Sequence, residues 1–208
     1  MKIVEIKKDK KHTVRVVFDN SKYFNFDLDY WNSICLHEED YISEQDLKHH
    51  LAESDYIRAK TRGMWFLDRA DYSEKKLYEK IVAGGISNTA AARAVARIKE
   101  LGLIDDKKLA SRLAEQMSEA NISKREAYAK LYQKGIPTDI IKSVLEETEF
   151  DEVSQVEAVI QKKYRTKMSD RDGIQKVYAA LIRKGFSYSA VRDAIKKYTQ
   201  EIELCEEY

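Results

Sequence analysis

Proline is almost missing from this chain of 208 residues: Pro137 is the single example, and glycine is sparse at seven. So few breaks favour a mostly helical protein over a loop-dominated one. The cysteines, Cys35 and Cys205, lie far apart, with no CxxC pair and no histidine at ligand spacing. That excludes a disulfide framework and reads as two reduced thiols in a cytoplasmic protein. No run of eighteen apolar residues occurs, so no membrane span is expected. The opening Met1-Lys-Ile-Val-Glu-Ile has neither the apolar core nor the cleavage site of a secretory signal.

Catalytic equipment is equally scarce. The four histidines are His12, His37, His49 and His50; adjacent histidines point to different parts of a helix surface and make poor joint metal ligands. Gly84-Gly85 lacks the Lys-Ser/Thr that completes a phosphate-binding loop. Asp105-Asp106 can in principle hold a cation, but acids are equally expected in the first turn of a helix. No nucleophile, base or metal set is visible, so neither catalytic residues, nor a metal, nor a cofactor is assigned, and an enzyme is not expected.

What the chain does have is one phrase spoken three times: Tyr, two residues, an aliphatic, three residues, Gly, and an apolar residue. It runs Tyr78…Ile81…Gly85-Ile86, then Tyr128…Leu131…Gly135-Ile136, then Tyr178…Leu181…Gly185-Phe186. The interval of fifty residues is that of a repeat array. Each copy reads as a helix end, with Gly in the left-handed position that closes it. Val95, Leu145 and Ile195 each follow the marker Gly by ten residues, so helix positions correspond across copies. Ser73, Ser87 and Ser123 are placed to cap helices, and Pro137 to open one. The three tyrosines fit a core stripe; the alternative is stacking on bases.

Ahead of the repeats, the first thirty residues alternate like strands: Val4 and Ile6; Val14, Val16 and Phe18; Phe24, Phe26 and Leu28. Lys8-Asp9-Lys10-Lys11 and Asp19-Asn20-Ser21-Lys22 separate them, which predicts a three-stranded antiparallel meander. Tyr30, Trp31, Ile34 and Leu36 follow at helical spacing. A long helix is predicted from Ser43 to Leu67, with Ser43 and Asp46 as a variant capping box. Its Arg58, Lys60 and Arg62 precede Met64-Trp65-Phe66-Leu67; the apolar residues read as a core stripe, and the role of the cations is open. The organisation expected is a β-meander with a short helix over 1–42, a linking helix with the first repeat over 43–104, repeats over 105–149 and 150–200, and an acidic tail over 201–208.

Net charge is only +1, but its distribution is uneven. Between Ala158 and Tyr198 stand eleven cations: Lys162, Lys163, Arg165, Lys167, Arg171, Lys176, Arg183, Lys184, Arg192, Lys196 and Lys197, against three acids. The last ten residues reverse the sign with Glu201, Glu203, Glu206 and Glu207. A block of one sign suits a charged partner, either nucleic-acid phosphates or an acidic protein face. A lysine-rich repeat is also what a merely solvated face looks like.

Leu67-Asp68-Arg69-Ala70-Asp71-Tyr72-Ser73-Glu74-Lys75-Lys76-Leu77 is similar to the entry motif of the RecX family of recombination regulators. Gly102-Leu103-Ile104-Asp105-Asp106-Lys107-Lys108-Leu109-Ala110 resembles that family's most specific phrase, and Lys134-Gly135-Ile136 and Arg183-Lys184-Gly185-Phe186 match its later repeat ends. The resemblance covers roughly residues 56 to 198. It departs from the family at Arg69, where an Arg pair is frequent, and at Asn121, where Gly is common. It implies a mainly α protein of three tandem three-helix repeats in an elongated, curved array, in the cytoplasm of a bacterium. It further implies binding in the groove of the RecA nucleoprotein filament, modulation (usually inhibition) of ATP hydrolysis, strand exchange and SOS coprotease activity, and no enzymatic activity or cofactor. Contact with single- or double-stranded DNA is a further expected interaction, with no membrane partner and a monomeric state. The competing expectation is a helical-repeat DNA-binding protein that acts without RecA, and a third is a helical scaffold for another protein.

Overall fold

The structure, a computed structural model, describes residues 1–9 and 12–206, with side chains described up to Thr199. Lys10 and Lys11 of the first separator, the side chains of the acidic tail and that of Cys205 lie outside the described residues. The chain divides after Asp105 into two compact units.

The first unit opens with β1 (Ile3–Asp9), β2 (Thr13–Phe18) and β3 (Tyr23–Asp27), an antiparallel sheet in the order β1-β2-β3. Val14, Val16, Phe18 and Phe26 fill its covered face as their alternation predicts. In β1 the expected phase holds at Ile6, which is half-buried against the sheet's core, and fails at Val4. A bulge between Ile3 and Glu5 pairs Ile3 with Phe18, so Ile3 is fully buried and Val4 is 49 % exposed. One extra residue reverses the inward set of a strand. Lys8 and Asp9 are also strand, paired with Val14 and Thr13, rather than turn. At the second separator Phe18 N–H donates to the Lys22 carbonyl at 2.9 Å, closing the predicted turn.

Leu28 begins α1 (Leu28–Ser33) instead of extending β3. The Asp27 carboxylate accepts from the N–H groups of Asp29 and Tyr30, and that cap stops the strand. Asp27 N–H in turn donates to Ser54 Oγ at 2.7 Å, tying the strand end to α2 (Glu44–Leu67). Ser43 caps α2: its hydroxyl accepts from Asp46 N–H at 3.0 Å and donates to the Asp46 carboxylate at 2.7 Å. The helix serves two cores. Leu47 near its start packs with Trp31 and the sheet, whereas Ala59 and Phe66 pack with α3 (Glu74–Val82) and α4 (Asn88–Glu100). Ala90, Ala91 and Ala94 keep α4 small-sided, which permits close packing against α2.

The second unit holds two helical trios. The first is α5 (Asp106–Glu119), α6 (Lys124–Gln133) and α7 (Thr138–Glu147), packed around Leu131, Ile141 and Leu145. The second is α8 (Glu152–Val159), α9 (Arg171–Arg183) and α10 (Tyr188–Glu206), packed around Val156, Ile160, Leu181 and Val191.

The repeated phrase is the joint inside each trio. Gly85, Gly135 and Gly185 all have φ between +79° and +90°, where a side chain is strained. Gly135 N–H donates to the Tyr132 carbonyl and Ile136 N–H to the Leu131 carbonyl, a pattern that Gly185 and Phe186 repeat. Ile81, Leu131 and Leu181 are fully buried, and Ile86, Ile136 and Phe186 fold back to be buried in turn. Asn121, at φ +56°, ends α5 in the same way, with Ile122 N–H donating to the Met117 carbonyl. Asn is among the few residues other than Gly that visit this region readily.

Two caps differ from expectation. Ser87 stands at the start of α4, but its hydroxyl faces Thr89 Oγ1 at 3.5 Å and bonds no helix N–H. Pro137 is the residue before α7 rather than its first helical residue. Tyr78, Tyr128 and Tyr178 are half-buried, each packed against its trio's core rather than inside it.

Candidate partner and nucleic-acid interface

The cation-rich third trio starts from a strong cap. Asp151 accepts from Ser154 N–H at 3.1 Å and from the Ser154 hydroxyl at 2.6 Å. Those bonds hold its carboxyl below the usual carboxylate range. The α-helical pattern of α8 then widens into a π turn at Ile160–Tyr164 and tightens into a 3-10 turn at Arg165–Lys167. Hydrophobic burial accompanies the irregular path at both ends: Ile160, its first residue, is fully buried, and Met168 just after it is 3 % exposed. The residues between, Lys162, Lys163, Arg165 and Lys167, are left on the exposed side. Gly173 fixes where this segment ends, since a Cβ there would stand 2.0 Å from the Lys167 carbonyl oxygen. Single π turns are frequent at functional sites.

The other seven predicted cations occupy the two long helices. Arg171, Lys176 and Arg183 are exposed along α9, and Lys184 is half-buried at its end, where Ser123 Oγ donates to its carbonyl at 2.7 Å. On α10, Arg192 meets Asp193 at 3.1 Å, Lys197 meets Glu157 at 2.9 Å, and Lys196 is exposed. The structure brings three of the eleven to one cleft. Lys162, Lys163 and Lys184 line a hollow of about 290 Å³ over Ile122, Val159 and Phe186. Arg165, Lys167, Arg171, Lys176, Arg183, Arg192, Lys196 and Lys197 do not line it.

Sequence reasoning missed the fourth cation of that cleft. Lys130, from α6, reaches it beside Glu126, its ion-pair partner at 2.9 Å. A second, more open hollow of about 460 Å³ gathers Lys124, Arg125 and Lys142 with Tyr128, Gly185 and the acids Glu146 and Glu152. A charge count confined to Ala158–Tyr198 does not register these, because they come from the preceding trio. The corresponding signal is the local run Lys124-Arg125 at a helix start.

Chemically the arrangement offers ammonium and guanidinium groups for phosphates or carboxylates, with attraction that falls as salt rises. Among the described residues no group of three His, Cys, Asp or Glu could hold a metal ion. His50 is engaged with the Tyr30 hydroxyl at 2.8 Å and His12 with Asp29 at 3.0 Å. No helix among the described residues is long and apolar enough to cross a membrane.

The family model described as "RecX, third three-helix domain" matches residues 151–195, the segment that carries most of these cations. The regulatory protein RecX of Clostridioides difficile strain 630 is 31 % identical over 160 residues, covering 75 % of each chain. That of Caldanaerobacter subterraneus subsp. tengcongensis is 27 % identical over 190 residues, covering 91 % of this chain and 95 % of the relative. Among solved structures, a crystal structure of regulatory protein RecX aligns with TM-score 0.67 at 22 % identity, over 94 % of this chain and 98 % of its own. RecX from Lactobacillus salivarius aligns with TM-score 0.63 at 21 % identity, over 70 % and 97 %. Helical trios joined at left-handed glycines, a small N-terminal sheet and these relatives lead to one assignment: the chain belongs to the RecX family of regulatory proteins.

Proposed function

We propose that this chain is a non-enzymatic modulator, acting as an inhibitor, of the RecA recombinase. It binds in the groove of the RecA–DNA filament and alters ATP hydrolysis, strand exchange and SOS coprotease activity. The observation that carries the reading is the exposed segment Lys162, Lys163, Arg165 and Lys167. It stands outside regular α-helix beside the Lys184 cleft, in a member of a family of regulators. Cations on such a turn are free to meet DNA phosphates or acidic protein faces without breaking a packed helix.

The test is RecA-dependent ATP hydrolysis on single-stranded DNA as the amount of this protein is raised. A dose-dependent fall is expected; an unchanged rate at every ratio would refute the proposal. Reversing Lys162, Lys163, Arg165 and Lys167 to Glu is expected to weaken filament binding by about tenfold or more and to flatten its salt dependence. Each reversal should change stability by no more than about 0.5 kcal/mol, because all four side chains are exposed. Unaltered filament binding would remove these residues from the site. Tight, sequence-selective binding to naked DNA would favour a DNA-binding protein that acts without RecA.

A further inference from the structure

At the corner between α2 and α3, Trp65 is 51 % exposed and its neighbour Met64 is 40 % exposed. Phe66 and Tyr72 beside them are half-buried and pack on the first helical core, so their rings have a structural role. Trp65 and Phe66 form a T-shaped pair with ring centroids 5.1 Å apart, and about half of Trp65 stays exposed. One face of the indole carries the Arg69 guanidinium at 3.8 Å. That guanidinium is held there because its Nη1 also donates to the Trp65 carbonyl at 2.8 Å, at the end of α2.

Two further cations join the cluster. Arg62 lies over Phe66 at 5.5 Å, and Lys80 lies 5.2 Å from the ring centres of both Phe66 and Tyr72. Among the described residues neither forms an ion pair, whereas Arg69 has Asp68 at 3.7 Å. Gly84 leaves room for Arg62: a Cβ at that position would stand 2.3 Å from Arg62 Cζ, so a larger residue would displace the guanidinium tip from this turn. Here is a use for the first glycine of Gly84-Gly85, and for the cation ahead of Met64-Trp65-Phe66 whose role the sequence left open.

We infer that this corner is a stacking platform for single-stranded nucleic acid. An unpaired base lies on the indole of Trp65, and Arg62, Arg69 and Lys80 meet the flanking phosphates. Aromatic faces interleaved with cations are the chemistry that binds single strands, because every base has a π face. A duplex keeps those faces stacked inside, and an acidic peptide would use the cations but leave the indole uncovered. The site is expected to be tolerant of base sequence, since stacking reads no base edge. This inference goes beyond the RecA reading and is tested without RecA.

The chain supplies its own reporter. Trp31 is 5 % exposed, and Trp31→Phe leaves Trp65 as the only tryptophan, read apart from the thirteen tyrosines by exciting at the red edge of indole absorption. Titration of that variant with a thymidine oligonucleotide of about twenty residues is expected to quench Trp65 emission, less so as salt rises. In parallel, anisotropy of the labelled oligonucleotide with the otherwise unaltered chain does not depend on Trp31→Phe folding well. Trp65→Ala should weaken binding about 5- to 150-fold, and Trp65→Phe should recover part of the loss. Arg62→Gln and Lys80→Gln should lower the salt slope. Binding by Trp65→Ala equal to the parent would overturn the inference. So would emission that stays unmoved while the oligonucleotide binds, or quenching that a duplex of equal length or a polyglutamate peptide reproduces.

Discussion

Ile81, Gly85 and Val95 in the first helical trio occupy the same stations as Leu181, Gly185 and Ile195 in the last, and the apolar members of both sets are buried. Around that common frame the charges are handled differently. In the first trio Arg93 makes a two-pronged contact with Glu53, Lys99 reaches Glu74 at 2.7 Å and Lys76 reaches Glu79 at 2.7 Å. In the last, only Arg192 and Lys197 of the eleven cations have a carboxylate partner among the described residues. The first trio pairs Lys76, Arg93 and Lys99 internally and gathers Arg62 and Lys80 around half-buried rings, whereas the last leaves most of its cations exposed. Packing and charge are thus separable: the glycine joint recurs in both trios, while the charged side chains between joints differ.

The frame is where substitution should cost most, and equally in both trios. Ile81→Ala and Leu181→Ala each empty a fully buried site, for an expected loss of about 2–5 kcal/mol in urea unfolding. A loss in either no larger than that of a surface substitution would show that the two joints do not bear equivalent cores. Glycine replacement then separates them. Gly85→Ala should cost about 1–2 kcal/mol for the left-handed backbone alone, since nothing lies within 4 Å of its added Cβ. Gly185→Ala should cost more, because its Cβ would stand 2.9 Å from Ser123 Oγ and 3.0 Å from Arg125 Cβ. Equal losses would mean that the neighbouring trio yields freely at that contact.

Much of this frame is legible in the sequence because it rests on local chemistry. Tyr-x-x-aliphatic-x-x-x-Gly marks a helix end wherever it is read, and Val14, Val16 and Phe18 alternate as a strand must. Failures begin where a long-range partner decides. The bulge that exposes Val4 depends on where Ile3 meets Phe18, and the π turn after α8 accompanies the burial of Ile160 and Met168 in one core. Ser87 has the residue type and position of a cap, but its hydroxyl turns to Thr89. The eleven cations were countable, but their convergence was not: Lys130 joins Lys162, Lys163 and Lys184 only because α6 lies beside the π turn.

The caps sharpen the contrast at a smaller scale. Ser123 Oγ accepts from Glu126 N–H at 3.2 Å and donates to the Lys184 carbonyl at 2.7 Å, so one buried hydroxyl starts α6 and binds the end of α9. Ser123→Ala should therefore cost about 0.5–2 kcal/mol, toward the upper end because two bonds are lost. Ser87→Ala should change stability by no more than about 0.5 kcal/mol, since no helix N–H depends on it. Comparable losses at the two serines would mean that Ser87 does cap α4 in solution.

The least expected effect is on pH, and it should distinguish the units. In the first, His12 Nε2 faces Asp29 Oδ2 at 3.0 Å, and that hydrogen bond, then the carboxylate charge, raises the imidazole above its ordinary 6.5. A raised folded value makes the pair's contribution complete below about pH 6.5 and lost as pH rises through the folded value. In the second unit the shifted groups are carboxylates held low. Glu147 is lowered by the Ser143 hydroxyl and then Lys107, and Asp151 by Ser154. Their contribution is complete above the ordinary carboxylate range and is lost only as pH falls through the depressed values. Between about pH 5.5 and 8, then, wild type should lose slightly more Tm than His12→Asn, a replacement suited to the φ of +58° at that position. Both partners are exposed, so the difference should be smaller than any above and should shrink with added salt. An identical pH response in the two proteins would mean that the His12–Asp29 pair contributes nothing to folding, and the charge contrast would then rest on the internal ion pairs of the first helical trio alone.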